Sequence, residues 1–384
     1  MALGVHSLPL YGQAMFIKPM EADLGWSRVQ ISFATTIVVL TTAITAPIAG
    51  VLADRINIRY LVATSAIGMS ACFAWLSMAG GGLMSLYAPM AMMAILGAAC
   101  STLSYSRVIS AYFDRSRGTA LGLAMTGTGF ASILTPVLLG PYVAAQGWRA
   151  GYLALAWVML IGALVLALFV KMPAAIGAES RRLKLDEGVS FRTAIRDSLT
   201  WQLALIFFLI PLAVGGLITH LLPMLTDAGL SAEQAAKQAS GIGIAVIVAR
   251  LTTGFLIDRY FAPYVGALLM FVASLGLLAM GVGGSKLAFF GALATGLAIG
   301  AEIDLVGFLV ARYYGFRAFG RIYGMLYGCL MLGTAVSPIL YATVRQSTGS
   351  YTMAILGACG ILVMSALLLL GLRRYKLESP NYVS

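Results

Sequence analysis

A chain of 384 residues that is 60% hydrophobic and only 10% charged, with a mean hydropathy of +0.92, is excluded from the soluble globular class, where about a quarter of residues carry charge. Its net charge of +11 does not point to nucleic acid, because the basic residues are confined to the connections between apolar runs. Cys72, Cys100, Cys329 and Cys359 all fall inside those runs without paired spacing, which argues against a disulfide framework and a zinc site.

The apolar runs are long enough to cross the ~30 Å hydrocarbon layer as helices. A transmembrane barrel would show short alternating strands instead. The class is therefore all-α, a polytopic membrane protein. Spans are expected near 1–17, 28–49, 59–79, 83–110, 118–141, 148–170, 199–221, 236–256, 262–282, 286–310, 319–342 and 351–371. The first reaches only about 25 Å at 1.5 Å per residue before Lys18. It has no basic lead of the kind a signal peptide carries, so the true first helix is expected to be longer.

The twelve spans fall into two sets of six. Residues 1–170 are expected to form an N-terminal six-helix bundle and 199–384 a C-terminal one with a short tail. Between them, 171–198 mixes Arg181, Arg182 and Lys184 with Asp186 and Glu187 and reads as a cytoplasmic linker. Arginines crowd the connections on one side (Arg55, Arg59; Arg115, Arg117; Arg259; Arg312, Arg317, Arg321; Arg373, Arg374) and thin out on the other. That bias places both termini in the cytoplasm, in the cytoplasmic (inner) membrane of a bacterial-type cell.

The halves echo each other. Gly118, Gly122 and Pro136 recur 202 residues on as Gly320, Gly324 and Pro338, and Gly50 with Asp54-Arg55 recurs at 204 as Gly254 with Asp258-Arg259. Two six-helix repeats around one polar site make an architecture built for alternating access.

Four charged residues fall inside spans: Arg107, Arg250, Glu302 and Asp304. Arg107 is about one turn from the cytoplasmic end of the fourth span, where snorkelling explains it. Arg250 lies deep in the eighth. An arginine at the bilayer centre costs roughly 2.5–3.5 kcal/mol on insertion scales, so it must face protein, water or an anion. Snorkelling and a permanent ion pair compete with a site for a substrate anion. Counted from their cytoplasmic ends, Arg250, Glu302 and Asp304 lie within about 5 Å in depth. The two acids are roughly 200° apart around their helix and cannot share a face. Asp304 shares the stripe of Gly296, Gly300 and Gly307, which reads as a close helix contact. One of the acids is expected to pair with Arg250 in the empty carrier and to release it on protonation; a fixed triad is the alternative. Tyr11, Tyr105 and Tyr327, on the first, fourth and eleventh spans, can line a cavity and donate hydroxyls, or simply pack. His6 and His220 read as packing or interfacial groups.

Gly50-Val-Leu-Ala-Asp54-Arg55-Ile-Asn57-Ile-Arg59 resembles the loop signature of the major facilitator superfamily, with Asn57 where a glycine is usual and Tyr60 where a basic residue is frequent. Asparagine is among the few other residues that visit left-handed backbone, which would let it stand in. The resemblance implies that fold, two pseudo-symmetric six-helix bundles, and gate roles for Gly50, Asp54, Arg55 and Arg59 and their copies Asp258 and Arg259. Asp54 can accept from the amide end of a facing helix or from an arginine.

A narrower resemblance, to the monocarboxylate transporter and oxalate:formate antiporter branch, rests on Tyr11-Gly12 to Lys18-Pro19-Met-Glu21-Ala-Asp-Leu-Gly25-Trp26-Ser27-Arg28 and on Val248-Ala249-Arg250 with Gly254. It implies that Arg250 binds a substrate carboxylate. Tyr11 stands where the animal transporters have a lysine and Val246 where they have an aspartate, so their proton relay does not carry over. The eleventh span offers only Arg321, at its mouth, so one carboxylate suits the site better than two.

The expected function is secondary active transport of a small organic anion, most simply a monocarboxylate, coupled to protons. No cofactor or metal is implied, no nucleic acid, and no partner beyond substrate, protons and the lipid bilayer; a monomer is expected. Drug or lipophile efflux by the same fold and a non-transporting sensor are the alternatives. No nucleotide loop, metal cluster or nucleophile-base pairing supports an enzyme.

Overall fold

The computed structural model describes residues 8–100, 116–169 and 188–375, together with residues 102, 105, 106, 109 and 113. His6, Arg107 and residues 171–187 lie outside the described residues. Eight stretches among the described residues are long and apolar enough to cross a membrane, one of them combining two helices.

The helices are α1 (Leu8–Leu24), α2 (Arg28–Arg55), α3 (Ile58–Ser77), α4 (Met84–Gly97), α5 (Arg117–Phe169), α6 (Phe191–Ala194), α7 (Ser198–Asp227), α8 (Ala232–Arg259), α9 (Ala262–Gly283), α10 (Ala288–Tyr314), α11 (Phe319–Thr348) and α12 (Thr352–Leu370). A 3-10 turn, Gly284–Leu287, joins α9 to α10.

α2 and α8 begin alike. The Ser27 hydroxyl accepts from the Gln30 amide while the Gln30 side chain accepts from the Ser27 amide, and Ser231 and Gln234 repeat the reciprocal pair. Each box satisfies two amide groups that a helix start otherwise leaves open. A left-handed glycine precedes each, Gly25 at φ 68° and Gly229 at φ 89°. Before each glycine stands an aspartate held by an arginine: Arg149 donates to Asp23 at 2.5 Å, joined by the Trp148 indole at 3.0 Å, and Arg345 donates to Asp227 at 2.9 Å.

One span differs from expectation and one junction follows it. The stretch α5 holds two helices, the expected fifth and sixth spans, which meet at Gly147 (φ 84°, ψ 166°), a backbone angle that glycine alone adopts freely. The fourth span is not one helix: α4 ends at Gly97 and a turn runs through Cys100 before helical backbone resumes. Ser65 on α3 bridges that break, donating to the Leu96 carbonyl at 2.5 Å and accepting from the Cys100 amide at 3.1 Å. Asn57 is also explained differently. Its φ is −59°, not left-handed, and its side chain caps α3 by accepting from the Arg59 amide at 3.1 Å.

The last part of the expected linker is held by the second half. The Val189 amide donates to the Tyr314 carbonyl at 2.9 Å, Thr200 and Tyr314 join hydroxyls at 2.7 Å, and Arg373 bonds Asp197.

The halves of the chain meet along two seams, α2 against α11 and α5 against α8. Both are closed by glycine on carbonyl contacts. A Cβ on Gly50 would sit 2.0 Å from the Gly320 carbonyl oxygen, and one on Gly118 2.3 Å from that of Gly254. Further along, Gly324 packs on the Ala46 carbonyl and Gly122 on that of Arg250. The internal repeat thus supplies equivalent residues to both seams, at the end of the bundle that carries the two Asp-Arg loops.

Candidate functional site

Arg250 is 6% exposed and faces protein rather than lipid. Its Nη1 donates across the seam to the Met125 carbonyl at 2.7 Å and to the Thr128 hydroxyl at 2.5 Å, both on α5. The Thr128 hydroxyl spends its own proton on the same Met125 carbonyl, at 2.8 Å, which turns its lone pairs towards the arginine. The Nε atom is buried with no partner, and Nη2 makes no hydrogen bond among the described residues. Nε and Nη2 form the edge on which a guanidinium takes a carboxylate with two parallel bonds.

Glu302 (4% exposed) and Asp304 (1%) lie on α10 within electrostatic reach of Arg250. Among the described residues neither forms an ion pair with it. Glu302 Oε2 and both Asp304 oxygens have no hydrogen-bond partner. Among the described residues of this conformation, the ion pair expected of the empty carrier does not form. The glycine stripe does bring α10 to α8: a Cβ on Gly296 would meet the Ile242 carbonyl at 2.2 Å, and one on Gly300 the Ala249 methyl at 2.6 Å. Gly307, lower on the stripe, meets Ser106 and Tyr323 instead.

Of the candidate tyrosines, Tyr327 on α11 is brought to the site. It is buried, its hydroxyl bonds Thr102, and Glu302 and Arg250 act on it electrostatically. Tyr105 turns to Cys100, hydroxyl to Sγ at 3.4 Å. Tyr11 lies on α1, and its side chain is outside the described residues. Tyr323, not singled out from the sequence, is fully buried next to Asp304, its hydroxyl close to that of Ser106. Phe316, Phe319, Tyr323 and Tyr327 stack in a column, with ring centroids 5.7, 5.7 and 5.9 Å apart. Their spacing of three or four residues was the available signal. Thr126-Gly127-Thr128, a polar triplet in an apolar span, was the signal for the Arg250 partner.

At the loop-bearing end, the Asp258 carboxylate accepts from the Gly118 amide at 2.6 Å, the Thr119 amide at 2.7 Å and the Thr119 hydroxyl at 2.8 Å. Asp258 at the end of α8 thus caps the start of α5 in the other half, and negative charge at a helix start is favoured by the axial dipole. Gly118 and Gly254 permit the approach. Arg259 covers the Phe255 ring at 3.6 Å, and Arg55 is exposed. Arg59 is half-buried, and the Asp54 side chain is outside the described residues. His220 packs, bonded to the Pro338 carbonyl at 3.0 Å and stacked on Tyr341.

The chain is 29% identical over 348 residues to human monocarboxylate transporter 11, covering 85% of this chain and 71% of that protein. It is 27% identical over 378 residues to the MFS-type transporter YcxA of Bacillus subtilis, covering 94% and 90%. Among solved structures, the fucose:proton symporter FucP of E. coli superposes with a TM-score of 0.72 at 16% identity over 95% of each chain. The human organic anion transporter MFSD10 gives 0.70 at 17%, over 94% of this chain and 90% of that one. At such identities the likeness is one of fold. The model of the Major Facilitator Superfamily matches residues 1–338, and the chain belongs to that superfamily: it is a multi-pass membrane transporter, not an enzyme.

Proposed function

We propose that this transporter carries a small monocarboxylate, coupled to protons, by alternating access between residues 1–170 and 199–384. The observation that carries the reading is Arg250, a buried cation that among the described residues has no paired carboxylate and an unused Nε/Nη2 edge. A guanidinium held in that way lacks the counterion that burial demands, and an incoming carboxylate supplies it. The name of human monocarboxylate transporter 11, a relative over most of the chain, supports the same substrate class. Tyr327 and Tyr11 are the proposed hydroxyl donors beside the anion, with Tyr105 acting through Cys100.

Glu302 and Asp304 are the proposed proton carriers. An ionised carboxylate left without a donor in a buried site costs several kcal/mol, and binding a proton removes that cost. The gate is the glycine-closed end of the two seams. Asp258 on the α5 start holds it shut, and the repeat assigns the same role in this proposal to Asp54, with Arg55, Arg59 and Arg259 completing the loop motif. That end is cytoplasmic by its arginine content, and both termini lie inside with it.

The test is uptake of labelled pyruvate, lactate and benzoate into proteoliposomes under an imposed proton gradient. Uptake that depends on the gradient and is abolished by Arg250→Ala is expected. No uptake of any monocarboxylate, with transport of apolar amines instead, would replace this reading with efflux of lipophiles.

A further inference from the structure

We propose that Thr128 is a positioning residue for the substrate anion: with the Met125 carbonyl it orients the Arg250 guanidinium, and only while the α5–α8 seam is closed. This rests on the reading of Arg250 as the carboxylate site. Arg250 belongs to α8 in the second half of the chain, whereas both atoms that hold its Nη1 belong to α5 in the first, at 2.7 and 2.5 Å. No residue of its own half bonds the guanidinium among the described residues, so nothing on α8 or α10 fixes its rotation. With Nη1 tied to α5, the planar group has one edge left, Nε and Nη2, and that edge is the carboxylate-binding one.

A geometric consequence follows. The Arg250 carbonyl rests on Gly122, one helical turn from Met125, so backbone contact and side-chain tie open together. Separating α5 from α8 releases Nη1 and lets the guanidinium turn. The anion site is therefore preformed in the seam-closed state and loses its orientation in the seam-open state. A ligand with different affinities for two states shifts their populations by that difference. The anion binds tightly with the seam closed, favours that closure, and is released after the seam parts. The other seam has no equivalent, since the residue of α2 that packs on Gly324, as Arg250 packs on Gly122, is Ala46.

The experiment is hydrogen exchange by mass spectrometry on residues 116–125 of the full-length protein in nanodiscs, with and without pyruvate, lactate or benzoate. The Gly118 and Thr119 amides report seam closure through their bonds to Asp258. Without ligand, Thr128→Val, which keeps the shape and removes the acceptor, is expected to speed exchange there about tenfold, the worth of one charge-assisted bond. Thr128→Ser, which keeps the hydroxyl, should stay at the wild-type rate. With ligand, a carboxylate that binds should slow exchange in wild type and Thr128→Ser, and bind about tenfold more weakly to Thr128→Val without protecting the seam. Wild-type exchange in ligand-free Thr128→Val overturns the proposal, as does seam protection by a carboxylate that survives in that variant. If no carboxylate affects the wild type but ligand-free Thr128→Val still loosens the seam, the tie stands and the carboxylate reading falls.

Discussion

Gly122 lies directly against the carbonyl of Arg250: a Cβ at this glycine would come within 2.4 Å of that oxygen. The contact puts α8 as close to α5 as two backbones allow, and it is this proximity that brings the arginine within reach of Met125 and Thr128. Gly122→Ala forces the helices apart, because the obstructing atom is backbone and cannot rotate away. Overpacking of this kind costs about 1–3 kcal/mol. The variant should fold, populate the seam-open state about 5- to 150-fold more, and transport more slowly. Exchange rates at Gly118 and Thr119 check the first effect and uptake the second.

Asp258 makes three bonds to the start of α5. Asp258→Ala removes all of them, and loss of a helix cap costs about 0.5–2 kcal/mol. The expected result is a weaker seam at its loop-bearing end with ligand affinity in the seam-closed state unchanged. Asp258→Asn should lie between the two, since its carbonyl still accepts. A variant whose Gly118 and Thr119 amides stay as protected as in wild type would remove Asp258 from the gate.

Glu302 and Asp304 share a helix but not a face, and among the described residues Glu302 Oε2 and both Asp304 oxygens have no hydrogen-bond partner. If one of them carries the transported proton, neutralising it fixes the protein in its protonated form. Either Glu302→Gln or Asp304→Asn should then flatten the pH dependence of uptake while preserving exchange of labelled for unlabelled substrate. Uptake profiles of both variants that follow the wild type would move the coupling elsewhere.

Asp23 offers a pH effect of known sign outside the membrane. The bonds from Arg149 and Trp148 hold its carboxyl below the usual carboxylate range. A carboxylate with a lowered value in the folded state stabilises above its ordinary value and loses that contribution as pH falls through the lowered one. The ion pair is half-exposed, so the effect is small. Melting temperature should fall with acidification slightly more steeply in wild type than in Asp23→Asn, and identical slopes would contradict the assignment.

Much of this was legible from the chain alone, because spanning a membrane demands long apolar runs and the repeat is written in glycines. Gly50, Gly118, Gly254 and Gly320 stand out by spacing, and the structure uses them where the halves touch. A second copy of the repeat was equally readable: Asp23, Gly25, Ser27 and Gln30 recur at exact offset as Asp227, Gly229, Ser231 and Gln234, and both sets form the same cap. Asn57 shows the limit of reasoning from residue type. Its left-handed tolerance is real but unused, since a side-chain cap satisfies the same turn. Depth along a helix follows from counting, and Glu302 and Asp304 lie within electrostatic reach of Arg250. Which of them touch does not follow, because that depends on rotation about three helix axes and on Thr128, whose role appears only when α5 is laid against α8.

The central claim is that the cargo's carboxylate binds Arg250, and thermal stability of the purified protein with and without small acids tests it most directly. Monocarboxylates should raise the melting temperature of the wild type, their methyl esters should not, and Arg250→Ala should respond to neither. Equal stabilisation of wild type and Arg250→Ala by the same acids would contradict the account.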